Sequence, residues 1–284
     1  MLPNIPSHPD LRKIVVLNPK GGCGKSTIAT NIAGFLAASG QSVALMDFDG
    51  QGSSMRWLQN RPQERALVHG IAAYQKDNSM TRSWQLRVPG GIQYVVIDTP
   101  AALQMQDLVE FTRGVHAILV PVLPSDLDIH AASRLITDML IVAKISRRMG
   151  RLGVIANRVR ENTLGYRKLM LFLERLSISI VGELRDSQNY VHAANEGLCI
   201  QEMMPSRVEK DLKSWYPLTS WLEKRLKMPI TQRDIRGAER SQPATASEPA
   251  GTKRTSTEPP KPEEPKSTNG GAPTTQRYAF PEAE

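Results

Sequence analysis

The chain has 284 residues, is 40% hydrophobic and carries a formal net charge of +8, which suits one large or two small packed domains. Its two cysteines, Cys23 and Cys199, exclude a disulfide framework and a four-cysteine zinc site and fit a reducing cytoplasm. The first residues lack the charged-then-apolar pattern of a signal peptide, and no apolar run approaches the ~20 residues that span a bilayer.

From the N-terminus, the first apolar run is Ile14-Val15-Val16-Leu17, inside a strand expected over 13–17. Asn-Pro-Lys-Gly-Gly-Cys-Gly-Lys-Ser-Thr follows at 18–27, and a helix is expected over 26–39. A strand, a glycine-rich turn and a helix N-terminus form an anion site, because backbone N–H groups and the helix dipole point at the same place. Gly21, Gly22 and Gly24 let the backbone approach phosphates. Lys25 is placed to reach the β/γ-phosphates and Ser26 to ligate Mg²⁺. The loop departs from the G-x-x-x-x-G-K-[ST] pattern at its start, where Pro19 replaces the first glycine and a second lysine, Lys20, follows.

Further strands are expected over 43–47, 93–97, 116–121, 152–156 and 178–182, with helices over 128–149, 163–176, 188–197 and 207–226. Several strands are almost wholly apolar, as strands covered on both faces are. The alternation predicts an α/β fold: a doubly wound, mostly parallel sheet with helices on both faces and right-handed crossovers. Ligands in such sheets bind at the carboxyl ends of the strands. After about residue 228 the composition turns to Pro, Ser, Thr, Gly, Glu and Lys, with nine of the twenty prolines. Residues 1–227 are therefore expected to form one domain, and 228–284 a disordered tail that cannot bury enough apolar surface to offset its ordering entropy.

Two expected strands close on aspartates at the edge that holds the glycine-rich loop. One ends in Met46-Asp47-Phe48-Asp49-Gly50-Gln51-Gly52, the other in Val95-Val96-Ile97-Asp98-Thr99-Pro100. A carboxylate there holds Mg²⁺ through water, a role Asp98 fits best. Asp47 and Asp49 share a period-two spacing, so one can orient the Mg²⁺ shell and the other the attacking water. The competing reading is that a strand-terminal Asp caps the next turn. Lys20 adds a second cation for the charge that spreads over the γ-phosphoryl oxygens. If it comes from a partner subunit, ATP becomes a condition for pairing.

Three segments carry a family resemblance. Lys20-Gly-Gly-Cys-Gly-Lys-Ser-Thr27 resembles the deviant Walker A motif K-G-G-x-G-K-[ST]-T of the ParA/MinD ATPases. Asp47-Phe-Asp49-Gly-Gln-Gly-Ser53 resembles their D-x-D-P-Q-G-S segment, and Val96-Ile97-Asp98-Thr99-Pro100-Ala101 their Walker B. The resemblance implies a P-loop ATPase that forms a sandwich homodimer over ATP and Mg²⁺. Gly21, Gly22, Cys23, Gly24, Lys25, Ser26 and Thr27 would bind nucleotide, and Lys20 would cross to the other subunit's phosphates. Asp49 matches the catalytic aspartate, with Lys20 and Lys25 beside it. Asp47 would lie near the metal shell with Ser26 and Asp98. Asn157 and Arg158 resemble the adenine-reading segment, with the Asn157 amide on the base, and Arg185 through Gly197 resembles the loop and helix that follow. Gly50 stands where the family has Pro, so hydrolysis is expected to survive and to be slow.

Charge narrows the partner. From residue 228 on, eight Lys/Arg face eight Asp/Glu, so the whole basic excess lies on 1–227. A basic folded domain suggests a polyanion. ParA-like relatives bind DNA without sequence preference, and three clusters are candidates: Arg147, Arg148 and Arg151; Arg207, Lys210 and Lys213; Lys224, Arg225 and Lys227. The strand starts a dozen residues in, so the helix-turn-helix domain of some plasmid ParA proteins is not expected. The stretch Val208–Leu222 carries tryptophans among lysines, as an interfacial helix would, but Pro217 is expected to interrupt it and packing on the sheet is the stronger reading. No stable membrane association is expected. Cys23 lies in the phosphate loop and Cys199 stands alone, so the two-cysteine cluster site of iron–sulfur relatives is absent. The expected function is a nucleoid-bound, cytoplasmic ATPase that positions a plasmid, chromosome, carboxysome or chemoreceptor cluster with a ParB-like or cargo adaptor. A MinD-like membrane ATPase, or a nucleotide-binding protein without turnover, are the alternatives.

Overall fold

A computed structural model describes residues 10–75, 81–176 and 178–228. The expected tail from 229 onward lies outside the described residues. Among the described residues seven strands form one sheet: β1 Arg12–Val16, β2 Val43–Asp47, β3 Val68–Ala72, β4 Tyr94–Asp98, β5 Ala117–Val122, β6 Leu152–Val159 and β7 Ser179–Arg185. Their order is β3-β2-β4-β1-β5-β6-β7, and every pairing is parallel. The six expected strands are all present. β3 is an addition: it is an edge strand whose His69 and Gly70 are exposed, so its sequence lacks the apolar run that betrays a central strand.

The helices are α1 Lys25–Ala38, α2 Ser53–Gln59, α3 Arg82–Gln85, α4 Met105–Thr112, α5 Asp126–Ile141, α6 Leu164–Arg175, α7 Asn189–Asn195 and α8 Pro205–Leu226. Leu108 and Phe111 of α4, Leu135 and Met139 of α5, and Leu169 and Leu173 of α6 pack into one core layer. Ile28 and Ile32 of α1, Trp57 of α2, Ala193 of α7, and Trp215, Leu218 and Leu222 of α8 pack into the other. The sheet is doubly wound, as the alternation of elements implies. Its central strands β1, β2, β4 and β5 are nearly solvent-free, which explains their continuous apolar sequences.

Two expected helices differ in extent. The helix expected over 128–149 stops at Ile141, because Lys144 adopts a left-handed backbone (φ 53°) and the buried Ala143 and Ile145 pull the chain back onto the core. Pro217 does not interrupt α8: the helix runs unbroken from Pro205 to Leu226. Pro217 is exposed, so the carbonyl that it leaves without a helical donor faces water, while Trp215, Leu218 and Leu222 on the opposite side are buried. Burying such side chains contributes about 1.5–3 kcal/mol each, which outweighs one lost helical bond. The apolar side of α8 thus packs on β7 and the layer around it. Among the described residues, no helix is long and apolar enough to cross a membrane.

Candidate functional site

The carboxyl edge of the sheet brings the glycine-rich loop and the three aspartates together. β1 delivers the loop from a buried start. Asn18 is solvent-free; its amide donates to the Pro121 carbonyl (2.6 Å), and its oxygen accepts from the Lys20 N–H (2.9 Å). The loop is thereby tied to the end of β5, a role that the sequence reading did not assign. Gly22 (φ 75°) and Gly24 (φ 94°) occupy left-handed conformations that disfavour a Cβ. At Gly24 a Cβ would also lie 2.3 Å from Asn157 Nδ2.

The first turn of α1 has no side-chain cap and no acidic residue, so its free N–H groups face the loop, a cradle suited to an anion. Lys25 is buried and rests its ammonium on the Lys20 carbonyl (3.0 Å). The Cys23 thiol reaches the same carbonyl (3.3 Å). Cys23 is buried and its thiol pKa is raised by desolvation, so it packs the loop as a neutral group. Lys20, Gly21 and Gly22 are exposed, with Ser26 and Thr27 half-buried behind them.

Asp47 and Asp98 are direct register partners on β2 and β4, and both are solvent-free. Their environments differ. Asp47 accepts backbone N–H groups on both oxygens: Asp49 on Oδ1 (2.9 Å), and Ser54 (3.1 Å) and Met55 (3.3 Å) on Oδ2. It therefore caps α2, the alternative open from sequence, and also fixes the backbone of Asp49. Desolvation raises its pKa, and these three N–H groups oppose that shift. Asp49 is half-exposed and accepts from the Gln51 N–H (3.0 Å), while its carbonyl receives Gly52 N–H (2.9 Å). The turn therefore closes without the family's proline, and its carboxylate stays at the surface of the site.

Asp98 is the corner where a divalent ion fits. Its pKa is raised to about 7, first by desolvation, with the hydroxyls of Ser26 and Ser54 pulling the other way. Ser54 Oγ donates to Oδ2 (2.7 Å), whereas Oδ1 is buried with no hydrogen-bond partner. Such an orphaned carboxylate oxygen calls for a cation or its water. No three His, Cys, Asp or Glu side chains converge among the described residues.

Beside the loop lies a cleft of about 340 Å³, lined by Thr27, Asn157, Arg158, Arg185, Tyr190 and Trp215 among others. The expected base-reading segment and the loop after β7 form its walls. Asn157 Nδ2 donates to the Cys23 carbonyl (2.8 Å), so this amide pins the phosphate loop to the end of β6. Asp211 of α8, solvent-free, accepts from Arg185 Nε (3.0 Å), Ser187 Oγ (3.2 Å) and Asn189 Nδ2 (2.6 Å), and Trp215 Nε1 donates to Tyr190 OH (2.9 Å). Asp211 and Ser54 are missing from the sequence-derived site, whereas Tyr190 lies within the stretch Arg185 through Gly197 named there. Asp211 belongs to a helix whose pattern reads only as amphipathic, and Ser54 carries no motif of its own.

The basic clusters are corrected in two places. Arg151 and Arg225 are buried at 1% and 3% exposure, and Arg151 Nη1 donates to the Val115 carbonyl (2.9 Å). Neither can meet a macromolecular polyanion. Arg207, Lys210, Lys213, Lys224 and Lys227 remain exposed and lie along the single helix α8 and its last turn. Arg147 and Arg148 are exposed as expected. Cys23 and Cys199 are both buried and unpaired; Cys23 lies in the loop, whereas Cys199 packs against Gly34 of α1.

Comparison with known proteins bears on the fold and the nucleotide-binding domain. The model of the CobQ/CobB/MinD/ParA nucleotide-binding domain matches residues 14–200. A maintenance of carboxysome distribution protein A from Halothiobacillus neapolitanus is 29% identical over 191 residues, which is 67% of this chain and 87% of that protein. One from Gloeobacter kilaueensis is 32% identical over 160 residues, 56% of this chain and 69% of that protein. Among solved structures, the Aquifex aeolicus MinC:MinD complex aligns with a TM-score of 0.58 at 20% identity, covering 78% of this chain and 98% of that one. The ATP complex of Cyanothece McdA(D38A) aligns at 0.56 and 15% identity, covering 79% and 100%.

Proposed function

We propose, from the premise that this chain belongs to the CobQ/CobB/MinD/ParA nucleotide-binding family, that it is a slow ATPase which pairs over ATP and positions a cargo on nucleoid DNA. The observation that carries this reading is the shared edge: a buried loop lysine, an exposed second lysine and three aspartates meet at the carboxyl ends of β1, β2 and β4.

The residues divide the work as follows. The loop 20–27 and the first turn of α1 bind the phosphates through backbone N–H groups. Lys25 exchanges the Lys20 carbonyl for the β/γ-phosphates. Ser26, and Asp98 through water, would hold Mg²⁺, which would supply charge neutralisation at the phosphates. Asp49 orients the attacking water, and Asp47 holds the Asp49 backbone in place. Lys20 is exposed at the start of the loop and suits the γ-phosphate of a facing copy. The cleft beside Asn157 takes the base. The exposed lysines and arginine of α8 take DNA phosphates, and the buried apolar side of that helix argues against a membrane role. An adaptor stimulates turnover and resets the pair. Two relatives named for carboxysome distribution favour that cargo over a plasmid, chromosome or chemoreceptor cluster.

The test is a single set of measurements on the full chain. ATP should convert monomer to dimer by sedimentation, and the dimer should bind random-sequence DNA more weakly at 200 than at 50 mM salt. Co-sedimentation with anionic liposomes but not DNA would replace this reading with a membrane-positioning one. ATP binding without turnover, even with DNA and adaptor present, would leave only a nucleotide-binding protein.

A further inference from the structure

Ser54 is the one described residue that hydrogen-bonds both buried aspartates of the site. Its Oγ donates to Asp98 Oδ2 at 2.7 Å, and its backbone N–H donates to Asp47 Oδ2 at 3.1 Å. Asp47 and Asp98 are register partners on adjacent strands, and Ser54, like both of them, is solvent-free. The other Asp47 oxygen receives the Asp49 N–H at 2.9 Å. A continuous chain of hydrogen bonds thus runs from the carboxylate beside the expected metal shell to the backbone of the water-orienting aspartate. Ser54 also stands at the start of α2, and Trp57, one turn on, is buried with its Nε1 on the Leu198 carbonyl (2.9 Å) and Arg61 over its ring at 5.0 Å.

We propose that Ser54 is a positioning residue that makes the placement of Asp49 and α2 depend on the ion at Asp98. The inference rests on the ATPase reading above. Ser54 Oγ fixes one oxygen of Asp98, which leaves the other, Oδ1, buried and without a partner. An ion or its water at Oδ1 restrains the whole carboxylate. Because Oδ2 is held by Ser54, any shift of that carboxylate moves the first turn of α2. The same turn is anchored on Asp47, so the shift reaches the Asp49 loop. A core of this density transmits small displacements instead of absorbing them. A structural hydroxyl alone would stabilise the fold without conveying the ion's presence.

The test is a Mg²⁺ titration of the full-length, ATP-loaded protein, read by tryptophan emission and, separately, by steady-state turnover. In the wild type, Mg²⁺ should change the emission, and Trp57→Phe should remove that change, which assigns it to α2. Ser54→Ala should lose the change and lower kcat about tenfold, as loss of a hydrogen bond to a charged group does, while KM for ATP moves less than about twofold. Ser54→Thr, which keeps the hydroxyl, should restore both. Ser54→Cys, a weak donor of similar size, should behave as alanine does and serves if the alanine protein does not fold. A wild type whose Trp57 is silent to Mg²⁺ overturns the proposal. So does a Ser54→Ala or Ser54→Cys protein with the wild-type emission change and kcat. A protein that binds ATP without turnover sinks the ATPase reading, while the emission titration still decides the role of Ser54.

Discussion

The Lys25 ammonium donates a 3.0 Å hydrogen bond to the backbone carbonyl of Lys20. The two loop lysines are therefore opposite in kind: one is buried against the loop, the other projects from it. Their variants should separate cleanly. Lys25→Ala should lose nucleotide affinity by tenfold or more, because the phosphates lose their inner cation. Lys20→Ala should bind ATP nearly as the wild type does, yet fail to dimerise and to hydrolyse. Fluorescent-nucleotide titration and sedimentation velocity with ATP measure the two effects. A Lys20→Ala protein that pairs and turns over at the wild-type rate contradicts the facing-subunit role.

Gly24 and Asn157 should couple in a double-mutant cycle. Gly24→Ala meets two obstacles, a φ of 94° and the Asn157 amide 2.3 Å from the new Cβ. Strain at such a backbone costs roughly 1–3 kcal/mol before the clash is counted. Asn157→Ala alone removes the hydrogen bond to the Cys23 carbonyl and should cost about 1 kcal/mol. The double variant should be less destabilised than the sum, since the second change makes room for the first. Urea denaturation of the four proteins measures the coupling; strict additivity would mean that the amide does not press on the loop.

The exposed row on α8 should set the salt dependence of DNA binding. Arg207 and Lys227 are twenty residues apart on one helix and its end, about 30 Å. Each phosphate contact contributes about 0.9 to the slope of log K against log salt. Lys210→Gln should therefore lower that slope by about one if it touches a phosphate, and Lys210→Gln with Lys224→Gln by about two. Arg151→Gln should leave the slope unchanged and lower stability instead, because its guanidinium is buried on the Val115 carbonyl. Fluorescence anisotropy across a salt series reads the slopes. A slope moved by Arg151→Gln and not by the lysines would place the DNA elsewhere.

Much of this was legible in the chain because central parallel strands, glycine-rich turns and strand-terminal aspartates each carry a local signature. Val43–Asp47 is apolar and then acidic because it is covered on both faces and ends at the site. What was not legible depends on distance in space. β3 is an edge strand with polar and glycine positions facing out, so it shows no run. Pro217 reads as a helix breaker, yet Trp215 and Leu218 on the buried side hold α8 together around it. Arg151 and Arg225 look like their basic neighbours until their burial is seen. Ser54 gains part of its meaning from Asp98, 44 residues away, and Asp211 from partners more than 20 residues away in sequence.

His116, at the opposite edge of the sheet from the loop, should make stability depend on pH. It is buried at 3% exposure, with Lys13 N–H on Nδ1 (3.1 Å) and Arg12 Nη1 on Nε2 (3.1 Å). Both ring nitrogens face donors; the neutral ring accepts at one of them, and protonation turns that nitrogen into a donor too and removes the only acceptor. Desolvation, followed by the charges of Arg12, Arg225, Lys13 and Arg151, lowers its pKa from 6.5 to about 4. Between those values the unfolded chain binds a proton that the folded one does not, so stability rises with pH. The contribution is complete above about 6.5 and falls away as pH drops toward 4. Between pH 7.5 and 5.0 this one group should remove about 2 kcal/mol. Urea denaturation of the wild type and His116→Gln at both pH values isolates it, since the other titrating groups are common to both. The wild type should lose about 2 kcal/mol more than the variant; equal losses would mean that the folded ring accepts its proton near the ordinary histidine pKa.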